Sequence, residues 1–237
     1  AAVGGALALA EVGNETRATV DGVQMTVDGR ALIKATQESL LIAGGASGGG
    51  AGTAAVSGAV VTSFVNNRTT AELVGDDETQ VTTGDLALEA NDSTQIFSVA
   101  GQAAGAGTAS VGAAASVSEV GNVVRARVLG ASVDASGAVA LSATNRAKIY
   151  TAAASAGGAG TADVRGSDTT NIILNQTIAE ICGAGRCGDE GSSDEPANTV
   201  EARTIEVLAK DESEIDSGAG AVSGAGNAAV GGALAHN

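Results

Sequence analysis

The sequence is poor in the residues that make ordinary cores and ordinary active sites. It has no Trp, one Pro, one His, two Cys and three aromatic residues in 237. A conventional core fills the space between layers with large side chains. Here the apolar 44% is mostly Ala and Val, and glycine supplies 35 positions. Layers built from such residues must lie close together. The sole histidine, His236, has no nucleophile partner in the sequence pattern, which argues against a Ser-His-Asp or Cys-His arrangement. Phe64, Phe97 and Tyr150 stand too far apart in sequence to read as a sugar-gripping platform. Basic residues are few, 12 against 27 acidic, for a formal net charge of −15. That balance repels a nucleic-acid backbone and an anionic membrane surface, and it suits a solubilising coat. No apolar run is long enough for a membrane helix.

What is present is periodicity. The phrase Asn-x-x-x-Ala-x-(Val/Leu/Ile)-x-Gly starts at Asn14, Asn67, Asn122 and Asn175, with spacings of 53, 55 and 53. A second phrase, Ala-Gly-Thr-Ala-x-Val, keeps the same beat at Ala51, Ala106 and Ala159, with a variant at Ala225. A period this regular predicts stacked units and not one globular core. The opening Val3-Gly4-Gly5-Ala6-Leu7 returns as Val230–Leu234. The whole of 1–237 therefore reads as one continuous array, and we expect it to be a stretch of a longer one.

Within a repeat, period-two alternation and turns every eight to twelve residues predict strands. The pattern gives a Gly/Ala strand such as Gly48–Val61, whose face of Gly48, Gly50, Gly52, Ala54 and Val56 suits a tight interior. A short strand follows each Asn (Ala71-Glu72-Leu73), with its charge outward and its aliphatic residue inward. A third strand is Leu86–Ala90, then a polar turn, then a fourth strand around Ile96, Ile149 and Ile215. Gly22, Gly75, Gly130 and Gly183 close the Asn-led strand, where a turn of positive φ selects glycine. The expected fold is an all-β parallel β-solenoid of about four 53-residue repeats. Two or three coils per repeat are favoured, with one wide coil or a β-sandwich array as alternatives. The four repeat asparagines are expected to form turns and to stack as a ladder. Three of them also begin Asn-x-Ser/Thr triplets, the pattern of glycan acceptors in a eukaryotic secretory route.

One segment departs from the beat. Residues 182–196 lengthen the last repeat and carry Cys182, Cys187 and the only proline, Pro196. Two Cys separated by glycines read as a stapled surface loop in an oxidising compartment, with a metal or redox pair as the alternative. A structural zinc site wants four ligands, and a second pair is missing. Asp189, Glu190, Asp194 and Glu195 crowd the same loop. They read as a solvated acidic loop, with Ca²⁺ binding or a specific contact as the functional alternative. No other cofactor is expected. Gly44–Gly52 is not a phosphate cradle, since no Gly-Lys-Ser/Thr follows it and the context is a strand.

The Asn-x-x-x-Ala-x-Val phrase, Gly-Ala-x-Val-x-Ala-x-Gly at Gly130–Gly137 and Gly-x-Val-x-Leu-x-Ala at Gly137–Ala143 resemble repeats of large bacterial exoproteins. These are the filamentous-haemagglutinin-like and leukotoxin-like filamentous adhesins, exported by autotransporter or two-partner routes. The resemblance implies a right-handed parallel β-helix at the cell surface, engaged in adhesion or fibre formation. The expected function is a non-enzymatic segment of an extracellular fibre or adhesin stalk. Its expected partners are copies of itself and a host or neighbouring-cell surface. A ligand-binding region using the 182–196 loop and a polysaccharide-active β-helix are the alternatives.

Overall fold

The computed structural model describes residues 1–76, 78–183 and 199–237. Alternating small and apolar residues give strands along almost all of this length, and no helix is present among the described residues. The first repeat supplies β1 (Ala2–Val12), β2 (Glu15–Asp21) and β3 (Met25–Ala51). The second supplies β4 (Ala54–Val65), β5 (Arg68–Val74) and β6 (Gln80–Ala106). The third gives β7 (Ala109–Val120), β8 (Val123–Leu129) and β9 (Ser132–Ala159). The fourth gives β10 (Ala162–Ile173), β11 (Gln176–Cys182), β12 (Val200–Asp211) and β13 (Glu214–Ala225), and β14 (Ala228–His236) follows.

These strands form three separate parallel sheets. Sheet A runs β1-β4-β7-β10-β14, sheet B β2-β5-β8-β11 and sheet C β3-β6-β9-β12, with β13 also beside β9. Each strand pairs with its equivalent one whole repeat away: Val3 with Val56, Ala71 with Ala126, Ile96 with Ile149. This corrects the expected β-solenoid. Successive strands of one repeat do not stack as two or three short coils. They divide among three parallel sheets, and each sheet takes one strand from each repeat, except that the fourth gives sheet C both β12 and β13. The physical reason lies in the polar segment between the expected third and fourth strands. Asn91–Gln95 is not a turn, because Asp92 and Thr94 point inward and find hydrogen-bond partners there, so β6 stays extended for 27 residues. Only in the fourth repeat does the strand break, between Asp211 and Glu214.

Two further expectations are corrected. The Gly48–Val61 strand is interrupted at Gly52 and Thr53, where the chain crosses from sheet C to sheet A. The inward face there carries Gly49, Ala55 and Ser57, and Val56 points out. Of the four closing glycines, Gly22 and Gly130 adopt positive φ, at 60° and 66°, whereas Gly75 and Gly183 do not. Gly75 is needed for space instead, since a Cβ there would lie 2.5 Å from Thr79 Cβ.

The core has two characters. Between sheets B and C, Leu73, Leu86, Leu88, Val128 and Leu141 are almost wholly buried in one aliphatic cluster. Between sheet A and the far half of sheet C, the cluster is Ala43, Val61, Ala100, Ala114 and Ala153. Ile96, Ile149, Val65 and Val120 lie between the two.

Candidate functional site

The repeat asparagines sit at the corner between sheets A and B. Each follows the end of a sheet A strand and precedes a sheet B strand, so equal spacing stacks them. The Asn14 backbone N–H donates to Asn67 Oδ1 at 3.3 Å, that of Asn67 to Asn122 Oδ1 at 3.2 Å, and that of Asn122 to Asn175 Oδ1 at 3.1 Å. One side-chain oxygen per layer thus satisfies a backbone donor that the corner removes from the sheets, a requirement for any buried N–H. The side-chain amides reach across to sheet C. Asn67 Nδ2 donates to Ser39 Oγ and Thr94 Oγ1, at 3.0 and 3.1 Å. Asn122 Nδ2 donates to Asp92 Oδ1 at 2.8 Å and Thr94 Oγ1 at 2.9 Å. Thr69 donates to the other Asp92 oxygen at 3.1 Å. Asn145 Nδ2 continues the seam to Asp211 Oδ2 at 2.9 Å.

Asp92 is 2% exposed, and among the described residues no cation pairs with it. Burial raises its pKa above the usual 3.8, and hydrogen bonds from Thr94, Thr69 and Asn67 oppose the rise. The seam carries donors and acceptors that satisfy one another. Its hydrogen bonds bind three sheets together; Asp92 and Asn122 are buried, whereas the end at Asn175, Asp211 and Ser213 opens to solvent.

A second polar cluster lies inside the narrow Gly/Ala region. Arg165 and Asp163 have fully buried side chains, with Arg165 Nη2 2.6 Å from Asp163 Oδ1. The guanidinium also donates to Gln102 Oε1 at 3.1 Å, to the Ala104 carbonyl at 2.7 Å and to Ser110 Oγ. The Gly224 N–H donates to Asp163 Oδ2 at 3.2 Å. The pair therefore ties sheet A to sheet C. Gly112 and Gly157 make room for it, since a Cβ at either would overlap the guanidinium. Gln102 Nε2, beside this cluster, is buried without a partner.

Sequence reading missed this pair. The signal was available in the columns of the Ala-Gly-Thr-Ala-x-Val phrase. Asp163 stacks in register on Ser110 and Arg165 on Gly112, so two charges replace two small inward residues. It also missed that Phe97 and Tyr150 stand in register and stack at 4.8 Å on sheet C. The outward charge of the short strand is present but covered. Glu72 is 2% exposed because Arg17 and Arg127 both clasp it, Arg17 Nη2 at 2.8 Å and Arg127 Nε at 2.9 Å. Cys182 ends β11 and is disulfide-bonded. Cys187, Asp189, Glu190, Asp194 and Glu195 lie outside the described residues, so the stapled loop and the calcium or contact reading do too. Among the described residues no group of three metal-binding side chains gathers, and no helix is long and apolar enough to cross a membrane.

No family model matches the chain, no curated protein matches it, and no solved structure matches it. The likeness to filamentous adhesin repeats therefore rests on the quoted phrases alone.

Proposed function

We propose that this chain is a non-catalytic structural segment of an extracellular bacterial surface fibre or adhesin stalk. The observation that carries the reading is the register. Equivalent residues of successive repeats pair one to one through all three sheets, over 25 pairs between β3 and β6 alone. A layer so built presents to the next the same hydrogen-bonding edge that it received, so length is set by repeat number. The buried polar groups of the corner serve that edge-to-edge continuity. The disulfide at Cys182 agrees with an oxidising, extracytoplasmic setting. The acidic surface keeps the particle in solution.

Changing the repeat number tests the reading. Tandem duplication of the 55-residue unit 68–122 adds one strand to each sheet, a rise of about 4.8 Å per unit. Four added units lengthen the particle by about 19 Å in small-angle scattering, with folding and protease resistance retained. A chain that unfolds or fails to lengthen on insertion sinks the proposal. Turnover of a glycan by the unaltered chain sinks its non-catalytic part.

A further inference from the structure

The outer face of sheet A is largely apolar and regular, and no described residue covers it. Its first outward column is the same residue in every strand: Val3, Val56, Val111, Val164 and Val230 stand in register. All five are exposed, from 45% to 86%. Two residues along each strand, the next outward column is Gly5, Gly58, Ala113, Gly166 and Gly232. A valine ridge thus runs along the stack beside a Gly/Ala trough. The third column is Leu7, Val60, Ala115, Asp168 and Leu234, large at both ends of the stack and interrupted at β7 and β10. A groove lies over β7, β10 and β14 on this line, between Val230 and Leu234.

We infer that this face is the docking surface for a second copy of this chain. Three observations point to a copy over any other occupant. The first is shape. A two-fold axis along the stack, between ridge and trough, sets each valine ridge into the other copy's trough. The contact is then reciprocal and closes as a pair. The second is charge. The chain carries −15, and two copies repel wherever their acidic surfaces meet. This face brings only Glu11 and Glu119, near the ends of their strands, and Asp168 and His236, which lie 3.9 Å apart beside the groove, to the surface. Few acidic groups oppose one another here, and the valine column is apolar from end to end. The third is size. Five strands at about 4.8 Å spacing, each sharing about nine outward-and-inward residues at about 3.3 Å rise, make a patch of roughly 700 Å² before pleating, close to the roughly 800 Å² per partner of a standard interface. The outer face of sheet C lacks this match, because Lys148, Glu214 and Asp216 flank its aromatic stack.

The inference deepens the fibre reading by giving it a lateral contact, and it rests on that reading only for the layered geometry. Sedimentation velocity of the full chain over a concentration series tests it. The expected result is a monomer–dimer equilibrium for the unaltered chain. Val111→Asp, in the middle of the ridge, weakens dimerisation at least tenfold, and Val99→Asp on the outer face of sheet C does not. Circular dichroism checks that both variants fold, and Val56→Asp repeats the test should Val111→Asp fail to fold. An unaltered chain that stays monomeric at every concentration overturns the inference. So does a dimer indifferent to charges at 111 and 56, or one broken equally by Val99→Asp. Each of these leaves the lengthening experiment untouched, so the two proposals fail separately.

Discussion

The two ends of each layer solve the same packing problem in opposite ways. Where sheet B faces sheet C the gap is wide, and Leu73, Leu88, Val128 and Leu141 fill it with at most 1% of their surface exposed. Where sheet A faces the far half of sheet C the gap is so narrow that backbone meets backbone. A Cβ on Gly4 would lie 2.5 Å from the Gly48 carbonyl oxygen, and one on Gly45 would lie 2.9 Å from a Val61 methyl. The wide end gains from apolar area removed from water. The narrow end has little such area per residue and adds hydroxyl contacts such as Ser47 to Ser57 at 2.9 Å and Ser116 to Ser98 at 2.9 Å. One parallel register serves both because side-chain size, not hydrogen bonding, sets the distance between sheets.

The narrow end is where a single change does most harm. Arg165→Ala removes the guanidinium and leaves Asp163 buried and unpaired, at a cost of about 3–5 kcal/mol. The double variant Asp163→Ser with Arg165→Gly restores the residues that stand beside them in β7, Ser110 and Gly112. It should recover most of the loss in urea unfolding. A double variant as unstable as the single one means that the charge is not what the site requires.

The wide end should fail by loss of volume. Leu88→Ala opens a cavity in a fully buried cluster and costs about 3 kcal/mol. The narrow end should fail by gain of volume. At the crossing between sheets C and A, Gly52, Gly107, Gly160 and Gly226 stack so closely that a Cβ on Gly107 would overlap the Gly52 carbonyl oxygen. Gly107→Ala should cost about 1–3 kcal/mol, since backbone must shift. Gly50→Ala, two positions before the same crossing and with nothing within 4 Å, should be close to neutral. Thermal melts of the three variants rank them. Equal effects at Gly50 and Gly107 would dissolve the contrast between the two ends.

The sequence made part of this legible. The period of 53–55 residues fixed which residues pair, and the asparagine phrase marked the corner ladder because a turn donor recurs at constant spacing. It did not reveal that one repeat feeds three sheets. Alternation looks alike whether a polar segment turns or stays extended, and Asp92 reads as a turn residue until its partners Thr69 and Asn122 arrive from other strands. The inward face of the Gly/Ala strand has the opposite parity to the one expected, on both sides of the crossing, because Gly, Ala and Ser occupy both faces and size does not tell them apart. The Asp163–Arg165 pair was visible only to a column-by-column comparison, since two charges among Gly and Ala look solvated when read along the chain.

The polar seam divides the two ends, and Asp92 gives it a pH dependence. Its pKa is raised in the folded chain, chiefly by burial, above the usual 3.8 of an exposed carboxyl. The sign follows from linkage: a carboxyl that binds its proton more tightly when folded stabilises the fold below its unfolded pKa, and this is lost as pH rises through the folded value. As pH rises past that value, the seam must hold a buried carboxylate. Asp92→Asn removes the charge, keeps an oxygen for the Asn122 amide and matches Asn145, its neighbour in register. Relative to the unaltered chain, the variant should gain stability as pH rises from 4 to 7. The gain is on the order of 1 kcal/mol, because the amide offers Thr69 and Thr94 one acceptor fewer. Urea midpoints for both chains across that range decide it. A difference that is flat with pH, or that turns against the variant as pH rises, would show that the seam's hydrogen bonds outweigh the burial of its charge.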